Sequence, residues 1–453
     1  MASAAAFSPM GGGRHGRWPA GLYLALLTVV LALVTFLTMR EARTATPADT
    51  EAEAIRYVRL ALALDRLREG EVDSWFGPAA LNRPEPDDPV DLGQLDRAVG
   101  DLADDLTIPG EDHDELHRAS LRTLVHGLSE VTAIMIERGE RHFYQEASRL
   151  YGIAPPTDVE AVRWRRARAE LEVLLPGEAP LAARVKAFRG RFVVPVDRQQ
   201  AIFERALAEC RKRTLARWKL PSGERLDIIW TDAVPAAWHR YKGAFRSVLQ
   251  INRQALALPG QAIDLACHEG YPGHHAQFVV ADAAAAPDGL PIEERLTLLR
   301  SPGNMIREGA ADAGVELAFP EEERFAFLRG VLFPLAGFDP ADAERYVQFE
   351  ALERVASGAS LPILARYRDG VLDRDRAADA LAEEALVASP GALLDFTDRY
   401  GAYVASYTLA RDRVRAALDS SCGNPWTALR ALVERPHAAF LYRQAAASAI
   451  ASS

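Results

Sequence analysis

Cysteine is scarce in this 453-residue chain: Cys210, Cys267 and Cys422 form an odd, widely spaced set with no CxxC pair. A disulfide framework of the kind that holds small secreted domains together is therefore not indicated. Buried free thiols are expected, with a Cys210–Cys422 bridge as the alternative outside a reducing compartment. Basic charge is also in short supply. Lys and Arg number 53 against 63 Asp and Glu, a net charge of −10 with histidine neutral. Phosphate recognition shows as a basic excess or stripe, so the balance argues against a nucleic-acid partner. No repeat period is found along the chain. What is plentiful is apolar material, 49% of residues against 26% charged, which is the composition of a chain with a large core and not of a disordered one.

No charged residue occurs from Trp18 to Met39. At about 1.5 Å per residue that run is long enough to cross a hydrocarbon core of about 30 Å, so it is expected to be a single transmembrane signal anchor. A cleaved signal is the alternative, with Ala42, Thr44 and Ala45 as a weak cleavage pattern. Arginines flank the run on both sides, so the charge rule does not orient it; a short tail before a large body fits an extracytoplasmic soluble domain. The first 50 residues hold four Arg and two acids, leaving 49 basic against 61 acidic residues, or −12, for the body. A body of that charge does not lie flat on an anionic membrane, and the segment would act as a tether. The expected organisation is a tail at 1–17, the anchor at 18–39, a polar linker at 40–54 and one large helical domain at 55–453.

Within that domain the 3–4 residue spacing of Tyr57, Leu60, Leu64 and Leu67 gives one apolar helical face. Leu121, Leu124, Leu128, Val131 and Met135 give another inside a helical region from Asp114 to Leu150, closed by Pro155-Pro156. Helices are read at 157–175, 179–189 and 197–217. The period then changes. LDIIW and FRSVLQIN, between Arg225 and Asn252, are β-favouring runs separated by Pro235 and Gly243, and predict a small sheet. Helices return at 260–283, 291–300, 304–318, 321–335, 341–356, 360–387, 391–418 and 425–449. The fold class is mainly α, with a small β-sheet next to the helix that carries the histidines.

Three of only ten histidines fall within the eight residues His268 to His275, in DLACHEGYPGHHAQF. A zinc hydrolase needs two or three neutral imidazoles, often a carboxylate ligand, and a further carboxylate to take a proton from water. His268-Glu269 supplies a ligand and an adjacent base in the order of HExxH metallopeptidases, but the fifth position is Pro272. Two residues can supply the second imidazole. His275 is about 20° off the His268 face yet about 10.5 Å along an ideal helix. His274 follows Gly273, and a break at Tyr271-Pro272-Gly273 would bring it to the usual second-ligand place, which favours it. Cys267 points about 100° from His268 on a helix and is read as a buried thiol.

HEGYPGHH resembles the signature of the bacterial domain-of-unknown-function family 885, whose members resemble gluzincin zinc metallopeptidases such as the thermostable carboxypeptidases and thimet-type oligopeptidases. The resemblance spans roughly residues 150 to 415. It implies a metallopeptidase-like helical domain with bound Zn2+, and a peptide or other amide as substrate. In NMIREGAADAGVEL it implies Glu308 as the carboxylate ligand, with Glu316 the weaker candidate. Ala310-Ala311-Asp312 replace the bulky residues typical of the family, which bears on pocket shape. YKGAFRSVLQIN, from Tyr241, is similar to the strand that holds substrate by edge pairing. RYGAYVASYTLARDRV places Tyr407 where a phenol would face an oxyanion. Arg411, one turn on, would hold a substrate carboxylate.

The expectation is a membrane-tethered zinc hydrolase, most of all a peptidase: His268, His274 or His275, and Glu308 on the metal, Glu269 as general base, Tyr407 on the oxyanion, Tyr241 and Arg411 on substrate. Competing readings stand beside it. Glu308 as a solvated surface carboxylate, Tyr403 and Tyr407 as core aromatics, and Arg411 as part of a charged helix face would each remove one role. Hydrolysis of a non-peptide amide or ester is the enzymatic alternative. A non-catalytic helical binding module with a structural or lost metal is the other.

Overall fold

The computed structural model describes residues 44–435 except 112–113, 138–141, 233–236, 254–256, 286–288 and 422. The expected anchor, Cys422 and the end of the last expected helix lie outside the described residues. Among the described residues no helix is long and apolar enough to cross a membrane.

Among the described residues the chain is mainly helical, 68% helix with few strands. It opens with α1 (Pro47–Leu67), strand β1 (Val72–Trp75), α2 (Leu92–Asp105), α3 (Glu115–Glu137) and α4 (Phe143–Tyr151). Next come α5 (Asp158–Leu174), α6 (Leu181–Gly190), α7 (Val196–Leu215) and strands β2 (Arg225–Thr231), β3 (Ala237–Tyr241) and β4 (Arg246–Asn252). Then follow α8 (Pro259–Glu269), α9 (His274–Ala284), β5 (Leu296–Leu298), α10 (Pro302–Ala318) and α11 (Glu321–Phe327). The rest is α12 (Phe333–Ala336), α13 (Ala343–Ala356), α14 (Ser360–Arg368), α15 (Arg374–Glu383), α16 (Pro390–Tyr400), α17 (Arg411–Ser420) and α18 (Pro425–Glu434).

Local chemistry explains several boundaries. Thr46 and Asp49 form a capping box with Pro47 in the first turn, so α1 begins inside the stretch expected to be a linker. The five apolar residues expected on one face of α3 are all buried, each adding about 1.5–3 kcal/mol of transfer free energy. The 291–300 stretch is not one helix: a 3-10 turn at Glu293–Arg295 leads into Leu296–Leu298, which pairs antiparallel with β1 in a two-stranded ribbon with all three β5 residues buried.

The expected small sheet has the order β2-β4-β3. β4 is its centre, parallel to β2 and antiparallel to β3. The strand expected to pair with substrate therefore has both sides filled, and the edge strands are β2 and β3. Tyr241, expected on substrate, is fully buried, and its hydroxyl donates to Asp282 Oδ2 at 2.6 Å.

Among the described residues two large hydrophobic cores form, beside a small cluster of Tyr241, Phe278 and Val279. One gathers α1 to α4 with α14 to α16 and includes Met305 and Ile306 of α10. The other gathers α5 to α9 with α11 to α13, α17 and α18, and includes Ala310, Ala313, Val315 and Ala318 of the same helix. α10 thus belongs to both. Cys210 of α7 and Cys267 of α8 form a disulfide with Cα atoms 5.4 Å apart. This corrects the expectation of free thiols: two buried helix faces, 57 residues apart in sequence, pack closely enough to bond.

Candidate metal centre

α8 ends at Glu269, so His268 and Glu269 project from its last turn. The chain then reverses through Gly270, a cis Tyr271–Pro272 bond and Gly273 before α9 starts at His274. The reversal is held by Gly273 N–H donating to Cys267 O at 2.9 Å and Ala276 N–H donating to Gly270 O at 3.1 Å. Gly273 is required there. A Cβ at that position would lie 1.7 Å from the His268 carbonyl oxygen. The close approach sets the rings of His268 and His274 4.7 Å apart, edge to face.

α10 supplies the third group. Its start is fixed by the Ser301 side chain, which accepts from Asn304 N–H. Glu308, two turns on, lies 3.3 Å from His268 Nε2 and 3.6 Å from His274 Nε2. One donor atom from each of His268, His274 and Glu308 lies within 4.8 Å of the others. His275 takes no part: it is fully buried, with Nδ1 2.8 Å from Ser247 Oγ and Nε2 2.9 Å from Glu224 Oε2. Neighbours on one helix point about 100° apart, so two adjacent histidines meet opposite surroundings.

Supporting contacts hold this group. Asp312, one turn beyond Glu308, lies 2.8 Å from His268 Nδ1, which leaves Nε2 to face the group. Tyr403 donates to Glu308 Oε1 at 3.2 Å and accepts from Asn304 Nδ2 at 3.1 Å. Glu308 Oε2, the atom 3.3 Å from His268 Nε2, is buried and among the described residues has no well-aligned hydrogen bond. Burial opposes charge on Glu308, but the His274 and His268 side chains outweigh it and keep the carboxyl far below the usual range. Burial opposes charge on His268 too, yet Asp312 and Glu308 hold its pKa well above normal. Two imidazoles and a carboxylate so placed could hold a metal ion.

The group opens onto a cavity of about 130 Å³ that is also lined by Asp73, His239, Glu269, Phe278, Arg307 and Tyr407. Burial raises the Glu269 pKa, with Glu308 adding to the rise and His274 and His268 opposing it. Burial likewise pushes Asp73 of β1 up to about 6. Tyr407 lines the cavity and is 45% exposed as a residue, while burial around its hydroxyl and then the charge of Glu308 hold its phenol pKa well above normal.

Arg411 is elsewhere: it binds Asp412 Oδ1 at 2.9 Å and lies 3.9 Å from Glu316. Glu316 is turned to Arg415, 2.5 Å away, and is not with the donor group. Asp312 could have been found in the sequence, because it lies four residues after Glu308 and so on the same helix face. Asp73 and His239 carry no such signal, since each sits alone on a short strand far from the motif.

A scan of the chain against models of known protein families gives no match, and a search of the curated proteins gives none. The group's meaning therefore rests on its own chemistry.

Proposed function

We propose that the chain is a zinc-dependent hydrolase that cleaves amide bonds, with peptides as its substrate class. The supporting observation is that Glu269 faces the same small cavity as the donor atoms of His268, His274 and Glu308. A divalent ion held by those three residues would supply Lewis acidity to a carbonyl oxygen and a lowered pKa to water. Glu269 takes the proton of the attacking water and gives it to the leaving nitrogen, so that a C–O bond forms as the C–N bond breaks. The upward pKa of Glu269 suits both halves of that transfer. Tyr407, which keeps its proton, donates a hydrogen bond to the developing oxyanion. Ala237, Trp238 and His239 of edge strand β3 line the cavity and offer backbone groups to an extended substrate.

The likeness of HEGYPGHH to family 885 points the same way. The run Trp18–Met39 would tether the body to a membrane, and the Cys210–Cys267 disulfide supports a place outside the cytoplasm, where such bonds persist. The test is metal content and peptide hydrolysis of the purified full-length chain. One zinc per chain is expected, and Glu269→Gln should keep the zinc while losing about 10²–10⁴-fold in rate. A protein that binds no divalent metal would sink the proposal.

A further inference from the structure

Among the described residues four arginines are buried, and three of them are matched. Arg300 forms two 3.0 Å bonds to Glu71, Arg324 bonds Asp264 at 2.7 Å and Glu350 at 3.2 Å, and Arg118 is paired with Glu53. Arg307 is the fourth. It is 4% exposed; burial disfavours its charge, Glu294 favours it electrostatically, and among the described residues no carboxylate forms an ion pair with it. Its Nη1 is buried with no hydrogen-bond partner. The guanidinium lies 4.4 Å from the centre of the Phe278 ring, and both residues line the cavity that holds the metal-ligand candidates. Burying an unpaired cation is costly unless something compensates it.

We infer that Arg307 receives a carboxylate of the substrate, one residue away from the bond that is cut. This rests on the hydrolase proposal and names the substrate class: peptides or acyl-amino acids with a carboxylate beside the scissile amide. Three observations support it. Arg307 lines the same small cavity as His268, His274 and Glu308, so a group held by it there is close to the donor atoms. The guanidinium carbon lies over the Phe278 ring and Nη1 has no hydrogen-bond partner among the described residues, which leaves a donor for a carboxylate. The cavity's other charged side chains besides its histidines are Asp73, Glu269 and Glu308, all acidic, so Arg307 alone can select an anionic group. Arg411, which the sequence suggested for this role, already has Asp412.

The test uses full-length, zinc-loaded Glu269→Gln protein, which binds without turnover, and three probes read by calorimetry: acetyl-Ala-Ala as free acid, acetyl-Ala-Ala-amide, and acetyl-Ala-Asp-amide. One of the two carboxylate-bearing probes should bind about 100-fold more tightly than the plain amide, and which one it is tells a terminal from a side-chain carboxylate. Adding Arg307→Met should bring the ratio close to one with zinc content unchanged. Arg307→Lys, which keeps the charge and the fold but not the paired geometry, should retain about a tenth of the preference. Equal binding of all three probes, or a preference that survives Arg307→Met, overturns the inference. Absence of zinc overturns the hydrolase proposal instead, and that is read before any probe is added.

Discussion

α8 has charge clusters on two sides, and they are composed in opposite ways. At Asp264 the cluster is self-sufficient: Arg324 bonds both Asp264 and Glu350, Arg354 lies 3.5 Å from Asp264, and Tyr346 donates to Glu350 at 2.6 Å. Two acids meet two arginines. One turn later, at His268, the cavity gathers Asp73, Glu269 and Glu308, and among the described residues only histidines pair with any of them. The two aspartates record the difference. Burial works against the charge of Asp264, but Arg324 and Arg354 outweigh it and its pKa falls. Asp73 has no such partner and its pKa rises to about 6. A cluster that balances itself is part of the fold, whereas one left acidic suits an added cation.

The strongest way to break this contrast is at the donors. His268→Ala or His274→Ala should weaken zinc binding on the order of 10³-fold, about 4 kcal/mol, while His275→Ala leaves it within a few fold; competition with a chelating dye measures each. Next in size, Arg324→Leu should cost about 3 kcal/mol in urea unfolding without altering zinc content, since it strands Glu350; the partial exposure of Asp264 keeps the figure at the low end. Equal loss of zinc in that variant would merge the two clusters into one. Third, Asp312→Ala should lower zinc affinity about 10–100-fold, because the His268 ring loses the contact that orients it.

The smallest effect is in pH. The folded pKa of Asp73, about 6, lies above its unfolded value of 3.8, so the folded, metal-free protein binds more protons between them. Its contribution is fully present below pH 3.8 and is lost as pH rises through about 6. Asp73→Asn should flatten that decline and stabilise the metal-free protein at pH 7 more than at pH 4, as read by denaturant midpoints. No change in the slope would show that Asp73 is solvated.

Much of the helical layout was legible, because long periodic faces such as Leu121 to Met135 signal burial directly. The break before His274 was legible too, since Pro272 and Gly273 cannot continue α8 as it stands. What could not be read came from distant pairings. β1 and β5 are four and three residues long, too short for a period, and each is a strand only because the other is beside it. The Cys210–Cys267 bond depends on α7 packing on α8, which no spacing announces. Tyr241 and Arg411 were given roles by motif position alone, and tertiary partners, Asp282 and Asp412, took their polar atoms first.

α10 enters both cores within a few residues, Met305 and Ile306 on one side and Ala310 and Ala313 on the other, with Arg307 and Glu308 between. Hydrogen exchange along that helix should therefore show no early-opening segment, because fraying toward either side requires a whole core to loosen. Substitutions that soften one core, even far from the cavity, would be felt as lost order at Glu308. Selection for activity would then police packing in both halves of the protein at once.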